Sequence, residues 1–123
     1  MKIVNLIARI LLGLIFLVFG LNGFLNFIPA PMPTGLAGQF IGALFVSHYA
    51  VLVFLVEVVG GVLLLANRFV PLAIALLAPI VVNILLYHFS MSLEGVPLAL
   101  ITTALWLIVF YKVRHAFAPL FVP

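Results

Sequence analysis

Four long apolar segments dominate this chain and constrain its fold more than any other feature. They cover residues 3–28, 48–66, 69–90 and 96–111, and none contains more than one aspartate, glutamate, lysine or arginine. A helix rises about 1.5 Å per residue, so a segment of roughly 20 residues can cross the hydrocarbon core of a bilayer. The sequence therefore predicts one all-α domain, residues 1–123, built as a bundle of four transmembrane helices.

The composition agrees with a membrane protein and excludes several soluble functions. Hydrophobic residues make up 68% of the chain and charged residues 6%, whereas soluble domains are about half apolar and about a quarter charged. Five cations spread over such a chain form no basic patch, so we expect no nucleic-acid partner. The chain has no cysteine, which excludes disulfides, thiolate metal sites and thiol redox catalysis by its own side chains.

The distribution of positive charge predicts the orientation of the bundle. Four spans put both ends of the chain on the same side as the turn at Asn67. The cations all fall on or near that side: Lys2, Arg9, Arg68, Lys112 and Arg114. By the positive-inside rule this side is cytoplasmic. Trp106 and Tyr111 are expected at the same interface, where amphipathic aromatic rings concentrate.

The connection between the first and second spans is predicted to contain a short helix. Pro29, Pro31 and Pro33 end the first helix, because proline lacks an amide donor and disfavours helix in the preceding residue. Thr34 can then cap a helix that runs to about Val46 and is too short to span the membrane. We predict an interfacial or re-entrant helix here, with an ordered apolar loop as the alternative.

Glu57 is the most unusual residue of the chain, because it lies in the middle of the second span. Counting along the helices places it near mid-membrane, with Arg9 in the same half. Ionisable groups at that depth usually face a bundle interior, a partner or a water-filled cavity. We predict an intramembrane polar pair of Arg9 and Glu57. In one interpretation this pair fixes the packing of the first two helices. In the other, Glu57 lines a ligand or proton site.

Two further sets of residues complete the candidate site. Polar side chains of the outer half are predicted to form a cluster of Asn22, Asn26, His48, Asn83, Tyr87 and His88. Their alternative role is hydrogen bonding between helices or at the membrane interface. Close helix packing is predicted at Gly13, Gly20, Gly60 and Gly61. We predict no metal site, since His48 and His88 both lie at the outer end, and we assign no catalytic residue.

Three stretches of the chain resemble the DoxX-like family of small bacterial membrane proteins. They are ARILLGLIFLVFGLNGF in the first span, VEVVGGVLLL in the second and RFVPLAIALLAPIVVNILLYHF in the third. The resemblance carries the family's polar and glycine positions onto Arg9, Asn22, Glu57, Gly60, Gly61, Asn83 and His88. The chain departs from the family pattern at Gly23, where many relatives have a lysine.

The resemblance implies a four-helix bundle in the bacterial cytoplasmic membrane and redox work linked to quinone and oxidase chemistry. The leading hypothesis is a non-catalytic integral subunit or anchor of such a redox complex, with an intramembrane polar pocket. We do not expect the chain to be an enzyme on its own. It would have no built-in cofactor, could bind a quinone or a lipid, and would contact a protein partner or further copies of itself within the lipid bilayer.

Two other functions stay open at this point. A small proton-coupled transporter would use Glu57 as its ionisable group, although four-helix exporters of this length carry their carboxylate in the first helix. A membrane assembly factor or chaperone would instead use the outer surface of the bundle to hold an immature partner.

Overall fold

The computed structural model describes residues 2–29 and 31–123, and the regular structure in these ranges is entirely helical. The five α-helices are α1 (Lys2–Leu25), α2 (Gly35–Val46), α3 (Tyr49–Ala66), α4 (Val70–Met91) and α5 (Val96–Val113). Short 3-10 helices cover Leu93–Gly95 and Arg114–Phe121. Four of the segments are long and apolar enough to cross a membrane, with the shorter apolar α2 between the first and second. The predicted fold class is therefore confirmed.

The four long helices form a closed ring in which each packs on two others. Helix α1 contacts α3 and α5, and α4 contacts the same two helices from the other side. Helix α2 packs mainly on α3 and also touches α4. The centre of the bundle is filled by fully buried apolar side chains, the largest being Leu12, Phe16, Leu64, Ile74, Leu77 and Val109.

The outer faces of the same helices are also apolar. Large hydrophobic side chains are exposed along the lengths of α1, α3, α4 and α5, for example Leu14, Leu55, Leu86 and Leu107. Water would disfavour such a continuous apolar surface, whereas lipid chains solvate it at no cost. The chain is thus a multi-pass membrane protein whose helices contact the lipid bilayer.

The ends of the bundle differ in charge. One end brings together the start of α1 with Lys2, the α3–α4 turn with Arg68, and the end of α5 with Lys112 and Arg114. We refer to it as the cationic end. The opposite end carries α2 and the short helix with Glu94.

Helix α1 ends at Leu25, three residues before the predicted end at residue 28. Asn26 adopts a left-handed backbone conformation with φ of 52°, and its amide donates to the Asn22 carbonyl oxygen at 2.8 Å. The Asn22 side chain then accepts the amide of Ile28 at 2.7 Å. Asparagine tolerates the left-handed region better than most residues, so it can end a helix where no glycine is present.

Three other boundaries are set by left-handed residues, one of which is Phe69, with φ of 52° directly before α4. His48 has φ of 64° and precedes α3, which begins at Tyr49 rather than at the predicted residue 48. Asn67 has φ of 55°, and its amide together with that of Arg68 bonds carbonyls in the last turn of α3. These caps create the short turns that hold α2, α3 and α4 next to one another.

Candidate functional site

Glycines allow α1 and α3 to approach at backbone distance. A Cβ atom placed on Gly61 would lie 2.6 Å from the Leu17 amide nitrogen and 2.8 Å from the Gly13 carbonyl oxygen. One placed on Gly20 would lie 2.9 Å from the Val58 amide nitrogen. The structure thus places Gly13, Gly20 and Gly61 in the α1–α3 contact, where no larger residue fits.

Gly60 faces the next helix of the ring. A Cβ atom there would lie 2.8 to 2.9 Å from the side-chain carbons of Leu77 on α4. The neighbouring glycines of α3 therefore serve two interfaces, Gly61 toward α1 and Gly60 toward α4. Helices α1 and α4 therefore both pack closely on the segment of α3 that follows Glu57.

Glu57 lies inside the bundle with only 8% of its surface exposed. Its side chain starts against α1, since a Cβ atom placed on Gly20 would be 3.0 Å from the Glu57 Cβ. Within residues 2–29 and 31–123, no donor is hydrogen-bonded to its carboxyl group. Every fully buried side-chain nitrogen or oxygen atom in these ranges has a hydrogen-bond partner. The carboxyl group is thus a buried acidic group without a hydrogen-bond partner among the described residues.

Arg9 does not form the predicted pair with Glu57 among the described residues. Its Nη1 donates to the carbonyl oxygen of Leu64 and, at 3.5 Å, to that of Leu65. These carbonyls belong to the last turns of α3, about two turns further along the helix than Glu57. Cations favour the carboxyl end of a helix because its last carbonyls lack partners, and Arg9 meets that end of α3.

The predicted outer polar cluster is not assembled as one site. Asn22 and Asn26 form the end of α1, as described above. His48 is exposed between α2 and α3. Asn83 is exposed and donates through Nδ2 to the Pro79 carbonyl oxygen in its own helix at 2.9 Å. The side chains of Asn22 and Asn83 thus bond to nearby backbone and not to other helices.

Tyr87 and His88 are the two members of that set that the structure brings together. Their rings meet edge to face with centroids 5.0 Å apart, and Tyr87 also contacts Phe40 of α2 at 5.7 Å. His88 Nδ1 donates to the Ile84 carbonyl oxygen at 2.8 Å. The other side of the imidazole covers Gly95, where a Cβ atom would be 2.1 Å from Nε2. This group joins α4 to α2 and to the loop before α5.

Trp106 and Thr102 donate hydrogen bonds inside the bundle, a role that the sequence reasoning did not predict. The Trp106 indole nitrogen donates to the Ile74 carbonyl oxygen at 3.1 Å and so links α5 to α4. Trp106 therefore packs between helices, and its place at the membrane interface stays a prediction. Thr102 is buried one turn earlier and donates to the Leu98 carbonyl oxygen at 2.9 Å.

Tyr111 differs from Trp106 in being exposed near the end of α5. The guanidinium carbon of Arg114 lies 3.9 Å from the centroid of its ring, and Arg114 Nη1 donates to the Tyr111 carbonyl oxygen at 2.6 Å. The cation and the ring thus form one compact unit at the cationic end.

Two cavities lie at the cationic end, and neither includes Glu57. The larger, about 240 Å³, has the polar lining residues Lys2, Asn5, Arg9, Asn67 and Lys112. The second, about 190 Å³, shares Lys2, Asn5 and Lys112 with the first and adds Tyr111 and Arg114. Among the residues that the structure describes, no group of three histidine, aspartate or glutamate side chains could hold a metal ion.

Comparisons with known proteins point to one family. Residues 4–110 match the DoxX family model, which covers all four long helices almost completely. Searches of curated proteins and of solved structures gave no match. Because the matched residues make up most of the chain, the resemblance seen in the three sequence stretches is confirmed. The chain belongs to the DoxX family.

Proposed function

We propose that this protein is a non-catalytic integral subunit, or anchor, of a quinone-linked redox complex in the bacterial cytoplasmic membrane. The observation that carries the proposal is Glu57, a carboxyl group inside an apolar bundle with no hydrogen-bond donor among the described residues. Polar groups at membrane depth are costly unless they are bonded, so such a carboxyl calls for a donor or acceptor from outside the chain.

A quinone or quinol headgroup fits that requirement. A carboxyl group can donate to a quinone carbonyl when protonated, or accept from a quinol hydroxyl when ionised. Neither of the two cavities described above includes Glu57. The headgroup would sit between this bundle and a partner, next to Glu57.

The redox centres would belong to the partner. The chain has no cysteine, and the quinone would supply the two-electron chemistry when bound. This subunit would hold the headgroup by hydrogen bonding and shield it with apolar helix faces. The exposed leucines of α3 and α4 offer the partner the same apolar surface that they offer to lipid.

The test is purification from the native membrane in a gentle detergent, with mass spectrometry of bound proteins and quinones. We expect a protein partner and a quinone to accompany the wild type. Glu57→Gln should lower quinone recovery about tenfold, the loss typical of one hydrogen bond to a charged group. Glu94→Gln is the matched control, since it changes the other acidic residue, which lies in the short 3-10 helix at the end opposite the cationic end. A lone monomer or homo-oligomer without quinone would refute the proposal.

The same preparation separates two other functions. A proton-coupled transporter would need no redox partner, and Glu57→Gln would abolish uptake by reconstituted vesicles. An assembly factor would accompany immature complexes and be missing from finished ones. Either result would replace the subunit proposal.

The orientation is part of the proposal, with the cationic end in the cytoplasm. Because the chain has no cysteine, single cysteines can be introduced without removing others. Leu93 and Val122 are exposed near opposite ends. In intact spheroplasts, a membrane-impermeant thiol reagent should label Leu93→Cys and should label Val122→Cys only after lysis. The reverse pattern would overturn the orientation.

A further inference from the structure

The cationic end carries positive charge that nothing in the described chain balances. Four of the five lysine and arginine residues line the two cavities there: Lys2, Arg9, Lys112 and Arg114. The acidic residues lie elsewhere, Glu57 midway along α3 and Glu94 at the opposite end. No lining residue of either cavity is acidic. An anion that entered this space would meet only cations and neutral groups.

The larger cavity has the donors that a phosphate group needs. Lys2 and Lys112 contribute ammonium groups from α1 and α5, and Asn5 and Asn67 contribute amides. Only Nη1 of Arg9 is bonded within the described residues, so its other guanidinium nitrogens keep their N–H donors. The cavity also lies at the first turn of α1, whose unpaired amides favour an anion.

The carbonyl end of α3 does not cancel this charge. The Leu64 carbonyl oxygen accepts from Arg9 and from the Asn67 amide, and the Leu63 carbonyl oxygen accepts from the Arg68 amide. The carbonyl oxygens of Leu63, Leu64 and Leu65 are thus already engaged by the turn or by Nη1 of Arg9. Lys2 and Lys112 have no side-chain hydrogen bond within residues 2–29 and 31–123.

The second cavity gives the site an apolar extension. It continues from Lys2, Asn5 and Lys112 along Val4 of α1 and Ile108 of α5, two residues within the membrane-spanning helices. A free phosphate ion has no apolar part to contact this groove, whereas the glycerol and acyl part of a phospholipid would lie along it. Basic pockets between transmembrane helices are a known class of headgroup site.

We propose that the groove between the start of α1 and the end of α5 binds an anionic phospholipid. Its phosphate lies among Lys2, Arg9 and Lys112, and its acyl chain runs along Val4 and Ile108. The lipid would join the first and last helices of the ring by neutralising cations from both. This site is independent of Glu57 and of any redox partner.

The test is native mass spectrometry of the purified protein titrated with phosphatidylglycerol, phosphatidylcholine or inorganic phosphate at matched ionic strength. We expect preferential retention of phosphatidylglycerol. Lys2→Gln and Lys112→Gln should each weaken it about fivefold, the effect of one cation near an anionic lipid. Lys112→Arg should keep it, because the charge remains.

The matched control is Arg68→Gln, which removes a cation from the same end but not from either cavity. We expect it to bind phosphatidylglycerol like the wild type. Equal losses in Arg68→Gln and Lys112→Gln would mean general surface charge and overturn the site. Equal retention of phosphatidylglycerol and phosphatidylcholine would also overturn the site. So would retention of inorganic phosphate without retention of phosphatidylglycerol. The Trp106 emission spectrum checks that each variant is folded. If Lys112→Gln does not fold, Lys2→Gln provides the same test.

Discussion

Gly61 of α3 and Gly13 of α1 are in backbone contact, with a Cβ position on Gly61 only 2.8 Å from the Gly13 carbonyl oxygen. The same position lies 2.6 Å from the Leu17 amide nitrogen, so the obstacle is backbone and cannot rotate away. Lipid drives helices together far less than water does, and close packing of small residues replaces that force. The contact therefore sets the distance between α1 and α3, the helix that carries Glu57.

Replacing Gly61 by alanine should force α1 and α3 apart. We expect Gly61→Ala to lower the free energy of unfolding by about 1–3 kcal/mol, the usual cost of overpacking. Unfolding in sodium dodecyl sulfate, followed by the fluorescence of Trp106, the single tryptophan, measures it. Gly42→Ala is the control, because its Cβ would meet nothing within 4 Å. It should leave stability unchanged or raise it by up to about 1 kcal/mol. Equal effects of the two changes would contradict the packing role.

Arg9 and Glu57 should be energetically independent. Arg9→Met removes the bonds to the Leu64 and Leu65 carbonyls and should cost about 1.5–3 kcal/mol. A double-mutant cycle with Glu57→Gln should give a coupling below about 0.5 kcal/mol, as for residues that share no contact. Arg68→Met is the control for removing a cation from the same end. A coupling above about 1 kcal/mol would show that the predicted ion pair forms after all.

The helices were predictable because length and hydrophobicity alone decide whether a segment can span a bilayer. The short helix after the first span was predicted from three prolines and a threonine cap. Thr34 does occupy the N-cap position, but its side chain makes no capping hydrogen bond among the described residues. The end of α1 was not predictable from hydrophobicity, since Phe27 and Ile28 continue the apolar run. The left-handed conformation of Asn26 and the bond from the Ile28 amide to Asn22 decide it instead.

Polar partners were harder to predict than helices. Charge and depth suggested that Arg9 would meet Glu57, because opposite charges attract in a medium of low polarity. A helix end offers a competing partner, and Arg9 takes the carbonyls of Leu64 and Leu65. Likewise the bond from Trp106 to Ile74 depends on which faces of α4 and α5 meet, and residue spacing within one helix does not contain that information.

The bond from Trp106 to Ile74 should contribute measurably to the joining of α5 to α4. Trp106→Phe keeps an aromatic ring that can stack on Phe110, whose centroid is 5.2 Å away, but removes the donor. We expect a loss of about 0.6–1.7 kcal/mol, the range for hydrogen bonds between membrane helices. Proteolysis during a detergent titration measures it without tryptophan fluorescence. Leu107→Ala, on an exposed face, should cost less, and a larger loss there would contradict the assignment.

Phe54 should exclude a lysine at Gly23, the position where the family resemblance leads us to expect one. A Cβ atom on Gly23 would lie 2.3 Å from the Phe54 ring, and that ring is in contact with Phe24 and Phe45. The ring therefore cannot move without disturbing both neighbours, and we expect Gly23→Lys to cost about 1–3 kcal/mol. Adding Phe54→Ala should make room and lower the cost of Gly23→Lys, measured as the difference in thermal midpoint with and without it. If Gly23→Lys costs the same in both backgrounds, the lysine is excluded by something other than the ring. If the cost of Gly23→Lys falls, the Phe54 ring occupies the space that the lysine side chain needs.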